Sequence, residues 1–307
     1  MLFTSDFLKR LEYLSILSKR VFHGRLLAQR RTTRTGQGIE FSDHREYARG
    51  DDLRYLDWNI YARHGDLLIR RFQEEQDLFV YLILDCSRSM SIGNPAKFDL
   101  ARQLAASLAY IALADQDSVC ILACADDVVA EFPLTRSQSK ILPIINFLQN
   151  LTTTGKDTDI SSAVRKIAHR GRRRLAVVIS DLFDRNGFER ALNELRYRHI
   201  DAHVVQLHDL GEASPNLFGD VELVDVETGN IRAVTITETQ LKTYRARFQE
   251  HQDAVSDYCR RYSIRCTQSP TTVRFDELMI RMMREADLAG RTSSHKSSEH
   301  TIGELPG

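Results

Sequence analysis

A carboxylate and two hydroxyls are grouped at Asp85, Ser87 and Ser89, directly after an apolar run over residues 79–84. An apolar run of this length that ends in a turn is typical of a buried strand in a parallel sheet. Such sheets bind ligands outside the carboxyl ends of their strands. Alternate residues of an extended turn face the same way, so these side chains can reach one point. Hard oxygen donors of this kind suit Mg2+ or Ca2+ better than Zn2+.

The same residues also fit an ordinary structural role. Asp and Ser are common in loops and at helix N-termini, where their side chains accept hydrogen bonds from backbone N–H groups. Two further loops favour the metal site. Thr158 follows an oxygen-rich loop that begins at residue 152, and Asp181 ends a second apolar strand. The sequence predicts that both side chains meet Asp85 at one edge of the sheet.

Strands and helices alternate from residue 78 onward. This alternation predicts an α/β fold, a doubly wound and mostly parallel sheet with right-handed crossovers. The core is predicted over residues 78–208, with strands at 79–84, 118–124, 175–180 and 202–207 and helices at 97–114, 139–150, 160–169 and 187–198.

The part of the chain after the core is expected to complete the fold. Residues 209–290 are predicted to form a small β-hairpin and helical extension, and residues 291–307 a disordered tail, because they are polar and aperiodic. The extension contains a hairpin at 222–236, helices at 239–261 and 275–289, and a strand at 262–267.

The N-terminal segment, residues 1–38, carries eight Lys or Arg residues against two acidic ones. Apolar residues recur every three to four positions, which predicts an amphipathic helix or helix pair. Its basic face is either solvated or a docking surface for an acidic partner or for membrane headgroups, which would give a peripheral membrane contact. Residues 32–38 are expected to form a flexible break.

Residues 39–77 form an arm that is dense in charged and aromatic side chains. A helix near 53–63 and a strand at 67–72 are predicted. The favoured interpretation is an ion-pair network that fixes the arm against the core. The alternative makes Asp51, Asp52 and Asp57 catalytic carboxylates. The predicted network consists of Arg45, Asp51, Asp52, Arg54, Asp57, Trp58 and Arg63.

Composition limits the classes of function. The formal net charge is zero, so bulk electrostatics do not indicate binding to nucleic acid or to an anionic membrane. No apolar run approaches the roughly 20 residues that span a bilayer. The first residues lack the pattern of a signal peptide, and the five scattered cysteines form no C-x-x-C pair. We therefore expect reduced thiols in a cytoplasmic protein.

The set of Asp85, Ser87, Ser89, Thr158 and Asp181 resembles the metal-ion-dependent adhesion site of von Willebrand factor A domains. A longer pattern, together with L-x-L-D-x-S-x-S-M-x-x-G and a later S-D, resembles the bacterial domain of unknown function 58 family. The resemblance covers about residues 25–290. Its matching positions in the arm are Gly38, Glu40, Phe41, Arg45, Tyr47, Gly50, Asp51, Asp52, Arg54, Asp57, Trp58, Ala62, Arg63, Leu67, Arg70, Phe72 and Glu75.

The resemblance implies a von Willebrand factor A-like core and a Mg2+ site. Ser87 and Ser89 would bind the ion directly, and Thr158 directly or through water. Asp85 and Asp181 would bind through water or directly. An ion with few carboxylate ligands can accept a partner's Asp or Glu as its last ligand. The resemblance also implies a MoxR-type AAA+ ATPase partner and a client protein complex that is assembled or activated.

Two basic residues lie beside the predicted donors. Arg88 fills a variable position of the motif, where it would compete with the metal for Asp85 or bind an acidic partner. Lys156 precedes Thr158, in a place where small residues are frequent in the family. Both are therefore predicted to contact the partner.

The leading hypothesis is a non-enzymatic interaction module that binds a partner carboxylate through Mg2+. The alternative is a Mg2+-dependent hydrolase that uses Asp85 and Asp181 to hold the ion and activate water. No His or Lys is placed beside Asp85 as an obvious acid or base, and no base is nominated for Ser87 as a nucleophile. No phosphate-binding G-x-x-x-x-G-K-[ST] loop occurs. The sequence therefore favours a protein that is not an enzyme and does not bind nucleic acid.

Overall fold

The N-terminal helix packs against the body of the protein. The computed structural model describes residues 2–22, 31–35, 40–75, 78–155, 158–167, 173–184, 186–226 and 229–296. Helix α1 (Ser5–Phe22) buries Phe7, Leu11 and Leu14 in the main core. These residues recur at spacings of four and three, so they share one face of the helix. The predicted amphipathic helix is confirmed as far as Phe22, and the possible second helix at residues 23–30 lies outside the described residues.

The arm contains a small antiparallel sheet. Its elements are β1 (Arg31–Thr35), β2 (Glu40–Glu46), α2 (Trp58–His64) and β3 (Leu68–Glu75), and β3 is the central strand. The helix predicted near 53–63 and the strand predicted at 67–72 are confirmed as α2 and β3. The flexible break expected at residues 32–38 is wrong for residues 32–35, which belong to β1. That segment has no apolar alternation, and its extended conformation depends on pairing with β3, with Arg31 opposite Glu75 and Thr35 opposite Arg71.

A six-stranded sheet forms the centre of the protein. Five of its strands, with the helices between them, come from one continuous stretch of chain. In order these are β4 (Leu78–Asp85), α3 (Lys97–Ala114), β5 (Ser118–Cys124), β6 (Val128–Thr135), α4 (Ile141–Asn150), α5 (Ile160–Lys166), β7 (Arg173–Ser180), α6 (Phe188–Tyr197) and β8 (Asp201–His208).

The C-terminal part of the chain adds the sixth strand and two long helices. Its elements are α7 (Leu210–Ala213), β9 (Gly219–Val224), β10 (Ile231–Ile236), α8 (Glu238–Arg261), β11 (Arg265–Pro270) and α9 (Phe275–Lys296). The predicted hairpin is the antiparallel pair of β9 and β10. The expectation of disorder from residue 291 is wrong as far as Lys296, because α9 continues to that residue. The rest of the predicted tail lies outside the described residues.

The strand order of the central sheet is β11-β8-β7-β4-β5-β6, and only the β5–β6 pair is antiparallel. Helices α1, α3, α4 and α9 cover one face, and α5, α6 and α8 cover the other. Strand β4 is therefore buried on both faces, which explains its continuous apolar sequence. The predicted α/β fold with a doubly wound, mostly parallel sheet is confirmed.

The structure also describes the thiols and the hydropathy of the helices. All five cysteines are free thiols, and Cys266 alone among them is partly exposed. Among the helices in the described ranges, none has the length and apolar character required to cross a bilayer.

Candidate metal centre

The structure places the predicted donors at the carboxyl ends of two neighbouring parallel strands. Asp85 is the last residue of β4, and Asp181 follows the last residue of β7. Ser87 and Ser89 lie in the turn after β4, which continues as a 3-10 turn over Arg88–Ser91. Asp85, Ser87 and Asp181 are each 1% exposed. Asp85 and Asp181 therefore lie at one edge of the sheet, with Ser87 and Ser89 in the turn beside Asp85.

The two serine hydroxyls are held together. Ser87 Oγ and Ser89 Oγ lie 3.0 Å apart, and the Ser87 backbone N–H donates to Asp85 Oδ1 over 2.8 Å. Two adjacent ligands of an octahedral Mg2+ ion, each about 2.1 Å from the metal, are separated by about 3.0 Å. The spacing of the hydroxyls therefore fits two neighbouring positions of such an ion.

Thr158 is the predicted third hydroxyl donor. Its side chain is 1% exposed, and Thr158 Oγ1 has no hydrogen-bond partner within the described part of the chain. The loop before it is attached to the motif, because the Thr154 N–H donates to the Cys86 carbonyl over 2.7 Å. Buried polar atoms without partners are rare in proteins, and one explanation for them is a bound ion. The unpartnered hydroxyl of Thr158 therefore fits a metal ligand.

The two carboxylates already have protein donors on every oxygen. Asp85 Oδ1 accepts from the Ser87 N–H, and Asp85 Oδ2 accepts from Ser180 Oγ over 2.5 Å. Asp181 Oδ1 accepts from the Phe183 N–H over 3.2 Å, and Asp181 Oδ2 accepts from Lys97 Nζ over 2.9 Å. This arrangement suits hydroxyls as direct ligands and carboxylates that act through water.

The protonation of Asp85 is affected by its burial and by its neighbours. Burial is the main cause that raises the pKa of Asp85 to about 7, and the charge of Asp181 adds to it. Hydrogen bonds from Ser180 and Ser87 oppose the shift without cancelling it. A cation bound between these groups would favour the ionised form of Asp85, because an opposite charge stabilises a buried carboxylate.

Lys97 is a site residue that sequence reasoning missed. It is the first residue of α3 and is 0% exposed. Burial alone lowers the pKa of its ammonium, but Asp181 and Glu212 outweigh that effect and the pKa is raised. A cation in the first turn of a helix is opposed by the helix dipole. A lysine at that position of an Ala- and Leu-rich helix is therefore the signal in the sequence that could have identified it.

Ser180 was also missed. It is 0% exposed at the end of β7, donates to Asp85 and accepts a hydrogen bond from the Leu182 N–H over 2.8 Å. The S-D pair at residues 180–181 contains the signal, because the serine directly precedes the predicted ligand.

Arg88 and Lys156 are the two residues predicted to contact the partner. Arg88 is exposed on the 3-10 turn beside the serine donors. Lys156 lies outside the described residues.

Within the described ranges, no three His, Cys, Asp or Glu side chains form a metal-binding group. The candidate centre therefore depends on its hydroxyl oxygens.

The predicted ion-pair network of the arm is a set of local contacts. Arg45 donates to both oxygens of Asp51, over 2.8 and 2.5 Å, and Arg54 forms a 2.6 Å ion pair with Asp52. These contacts join residues of the arm to one another, whereas the prediction has the network fix the arm against the core. The backbone of the arm holds both aspartates in place, because Asp51 also accepts a hydrogen bond from the Ala48 N–H and Asp52 accepts one from the Arg54 N–H.

Asp57 has a capping role in the arm. Its Oδ1 accepts from the N–H groups of Asn59 and Ile60 at the start of α2, and its Oδ2 contacts His44 and Arg70. The neighbouring Trp58 is 56% exposed, and Arg63 is exposed in the last turn of α2. The three aspartates proposed as alternative catalytic residues thus have local structural partners.

Known proteins resemble this chain at low sequence identity. Uncharacterized protein Rv1480 of Mycobacterium tuberculosis is 26% identical over 213 residues, which make up 66% of this chain and 65% of that protein. The chain therefore spans slightly less than two thirds of the length of this relative.

Two solved structures are similar in parts of their fold. BatB from Bacteroides thetaiotaomicron is 16% identical, with a TM-score of 0.44 over 70% of this chain and 99% of that one. The SpRpn10 VWA domain is 14% identical, with a TM-score of 0.36 over 66% of this chain and 93% of that one.

A family model matches most of the chain. It is described as "Protein of unknown function DUF58" and matches residues 43–256, which include the arm from within β2 onward and the candidate metal centre. The resemblance seen in the arm and in the D-x-S-x-S motif is thereby confirmed at the level of the family. The chain belongs to the DUF58 family.

Proposed function

We propose that this chain is a non-enzymatic protein-interaction module in which a Mg2+ ion, or another divalent cation, binds a carboxylate of a partner protein. The observation that carries the proposal is the difference between the hydrogen bonds of the hydroxyl donors and those of the carboxylates. The hydroxyls of Ser87 and Ser89 contact each other and that of Thr158 has no partner in the described residues, while both carboxylates have protein donors on every oxygen. An ion held mainly by neutral oxygens retains affinity for an anionic ligand.

Each residue has a defined part in this proposal. Ser87, Ser89 and Thr158 would hold the ion, and Asp85 and Asp181 would act through water. The ion supplies a positive centre to which a carboxylate can bind. Arg88, which is exposed on the adjacent turn, would add a second positive group for an acidic surface.

The hydrolase alternative is less well supported by the same contacts. A metal-dependent hydrolase needs a group that takes a proton from water. Asp85 has a pKa raised to about 7, but both of its oxygens accept hydrogen bonds from Ser87 and Ser180. Both Asp181 oxygens are likewise engaged, and the ammonium of Lys97 is paired with Asp181 and Glu212, which raise its pKa. A lysine kept protonated in this way is a poor general base.

The proposed partner is a MoxR-type AAA+ ATPase that acts with this module, in the cytoplasm, to assemble or activate a client protein complex. This part of the proposal comes from the family resemblance. Helix α1 would add peripheral membrane contact only through residues outside its packed face, such as the exposed Lys9.

Binding between the purified chain and a purified MoxR-type ATPase tests the proposal, measured with Mg2+ and with a chelator. We expect binding with Mg2+ that is lost with the chelator and in the variants Asp85→Ala and Ser87→Ala. Ser139→Ala is the matched control, because Ser139 is an exposed serine whose Oγ lies 2.7 Å from that of Ser137. Binding unchanged by the chelator and by both site variants would contradict the proposal. Metal-dependent phosphoester turnover that is abolished by Asp181→Ala would support the hydrolase.

A further inference from the structure

Lys97 is maintained in an unfavourable position. Its side chain is fully buried, and burial of an ammonium is costly unless the charge is paired. It also lies at the N-terminal end of α3, where the helix dipole disfavours a cation. Two carboxylates compensate. Lys97 Nζ lies 2.9 Å from Asp181 Oδ2, and 2.7 and 2.8 Å from the two oxygens of Glu212.

Glu212 is itself held in place. One of its oxygens accepts from the Asp209 N–H over 3.1 Å, as part of the capping box of α7. Asp209 in turn accepts from Gly211 and from Thr271, which follows β11. Lys97 therefore bridges a carboxylate of the candidate metal centre and a carboxylate that is fixed outside it.

We propose that Lys97 is a resident cation of the metal centre, which limits the affinity of the free protein for a divalent ion and preserves positive charge on the bound ion for a partner carboxylate. This inference rests on the proposed function. Two ionised aspartates would neutralise a divalent ion, but Lys97 already offsets one of them. The ion, both aspartates and Lys97 then sum to one formal positive charge, and Glu212, which shares Lys97, brings the sum of the whole cluster to zero. Without Lys97 the same cluster would carry one net negative charge and would repel a partner carboxylate.

Glu212 sets the strength of this effect. Because it shares Lys97 with Asp181, it draws part of the positive charge away from the centre. Without the charge of Glu212, Lys97 would pair with Asp181 alone and would oppose the ion more strongly. The inference thus predicts that removal of Lys97 strengthens metal binding and that removal of the Glu212 charge weakens it. If the cluster had only a structural role, both substitutions would lower stability and neither would strengthen metal binding.

Direct titration with Mn2+ in the absence of any partner tests the inference, with free Mn2+ measured by electron paramagnetic resonance. We expect Lys97→Met to bind Mn2+ at least about tenfold more tightly than the wild type, because a nearby positive charge has been removed. Glu212→Gln should bind Mn2+ at least about threefold more weakly than the wild type. Lys140→Met, which removes an exposed lysine, should match the wild type.

The outcomes separate this inference from the proposed function. Equal or weaker Mn2+ binding by a folded Lys97→Met variant would overturn the role of Lys97 and leave the metal centre intact. Absence of Mn2+ binding in every protein would overturn the metal centre and this inference with it. If Lys97→Met does not fold, Glu212→Gln decides, because Glu212 lies at the edge of the cluster with its side chain 15% exposed. Unchanged or tighter binding by Glu212→Gln would then overturn the inference.

Discussion

Ser180 donates a hydrogen bond to Asp85 across the ends of two neighbouring strands, with 2.5 Å between Ser180 Oγ and Asp85 Oδ2. The same hydroxyl accepts from the Leu182 N–H, so one buried side chain satisfies a carboxylate and a backbone group. This contact joins β4 to β7 at the point where both carboxylates of the candidate centre are located.

Replacement of Ser180 by Ala should destabilise the protein by about 2 kcal/mol, because it leaves a buried carboxylate oxygen and a buried N–H without partners. Urea denaturation measures the change. Ser107→Ala is the matched control. Ser107 is equally buried, but it donates to the Gln103 carbonyl within α3. Its loss should change stability by less than about 0.5 kcal/mol. Equal losses in the two variants would contradict a special role for Ser180.

The replacement of Thr158 by Val should separate stability from metal binding. In the metal-free protein the variant should be more stable by about 1 kcal/mol, because it removes a buried hydroxyl that has no partner. Its affinity for Mn2+ should fall at least about tenfold, as expected for the loss of a ligand. Thermal melts with and without Mn2+ measure both effects. Thr152→Val, at an exposed position, should change neither. A destabilised metal-free Thr158→Val protein would show that the hydroxyl has another partner.

Gly155 shapes the loop that leads to Thr158. Its φ is +83°, and a Cβ there would lie 2.5 Å from Asp126 Oδ1 and 2.7 Å from the Ala125 Cβ. Gly155→Ala should cost about 2 to 4 kcal/mol, from the left-handed conformation and the clash together. Gly65→Ala is the control, since Gly65 has a similar φ of +78° and open space around it. It should cost about 1 kcal/mol. Similar losses in urea denaturation would show that the clash is relieved.

His203 should make stability depend on pH. It is 6% exposed, with Nε2 2.9 Å from Thr267 Oγ1, and burial lowers its pKa to about 3. The imidazole binds a proton more readily in the unfolded chain than in the folded protein. Protonation therefore favours unfolding, and the free energy of unfolding is unaffected by His203 above pH 6.5 but decreases as the pH falls from 6.5 towards 3. Between pH 7 and pH 5 the loss should be about 2 kcal/mol.

Urea denaturation at the two pH values measures this loss. His203→Gln keeps a polar group for Thr267. Its free energy of unfolding should fall by about 2 kcal/mol less between pH 7 and pH 5 than that of the wild type. An identical slope in the wild type and the variant would contradict the assignment to His203.

The cap of α2 can be tested with the single tryptophan of the chain. Asp57→Ala removes the acceptor of two backbone N–H groups and of the contacts with His44 and Arg70. We expect α2 to fray and the emission of Trp58 to shift to longer wavelength. Asp57→Asn retains a capping oxygen and should show a smaller shift. Trp58 emission during a thermal melt measures both. Equal shifts would show that the ion pairs, rather than the cap, hold this helix.

The sequence by itself determined the core and the donors of the centre. Strand β4 is recognisable because a strand that is covered on both faces needs a continuous apolar run. Asp85, Ser87 and Ser89 are recognisable because their spacing is local, and alternate residues of an extended turn share one side. Strands β1 and β2 are not recognisable in this way, because their polar residues pair only when β3 is beside them.

Only the tertiary structure decided what surrounds those donors. Ser180 and Asp85 are 95 positions apart in the chain, and Lys97 is 84 positions from Asp181 and 115 from Glu212. No local pattern encodes such pairs. They form because parallel strands bring their carboxyl ends to one edge of the sheet, where a lysine from the following helix is buried and needs opposite charge. The chain thus specifies its hydroxyl and carboxylate oxygens by local spacing, while the electrostatic balance around them follows from folding.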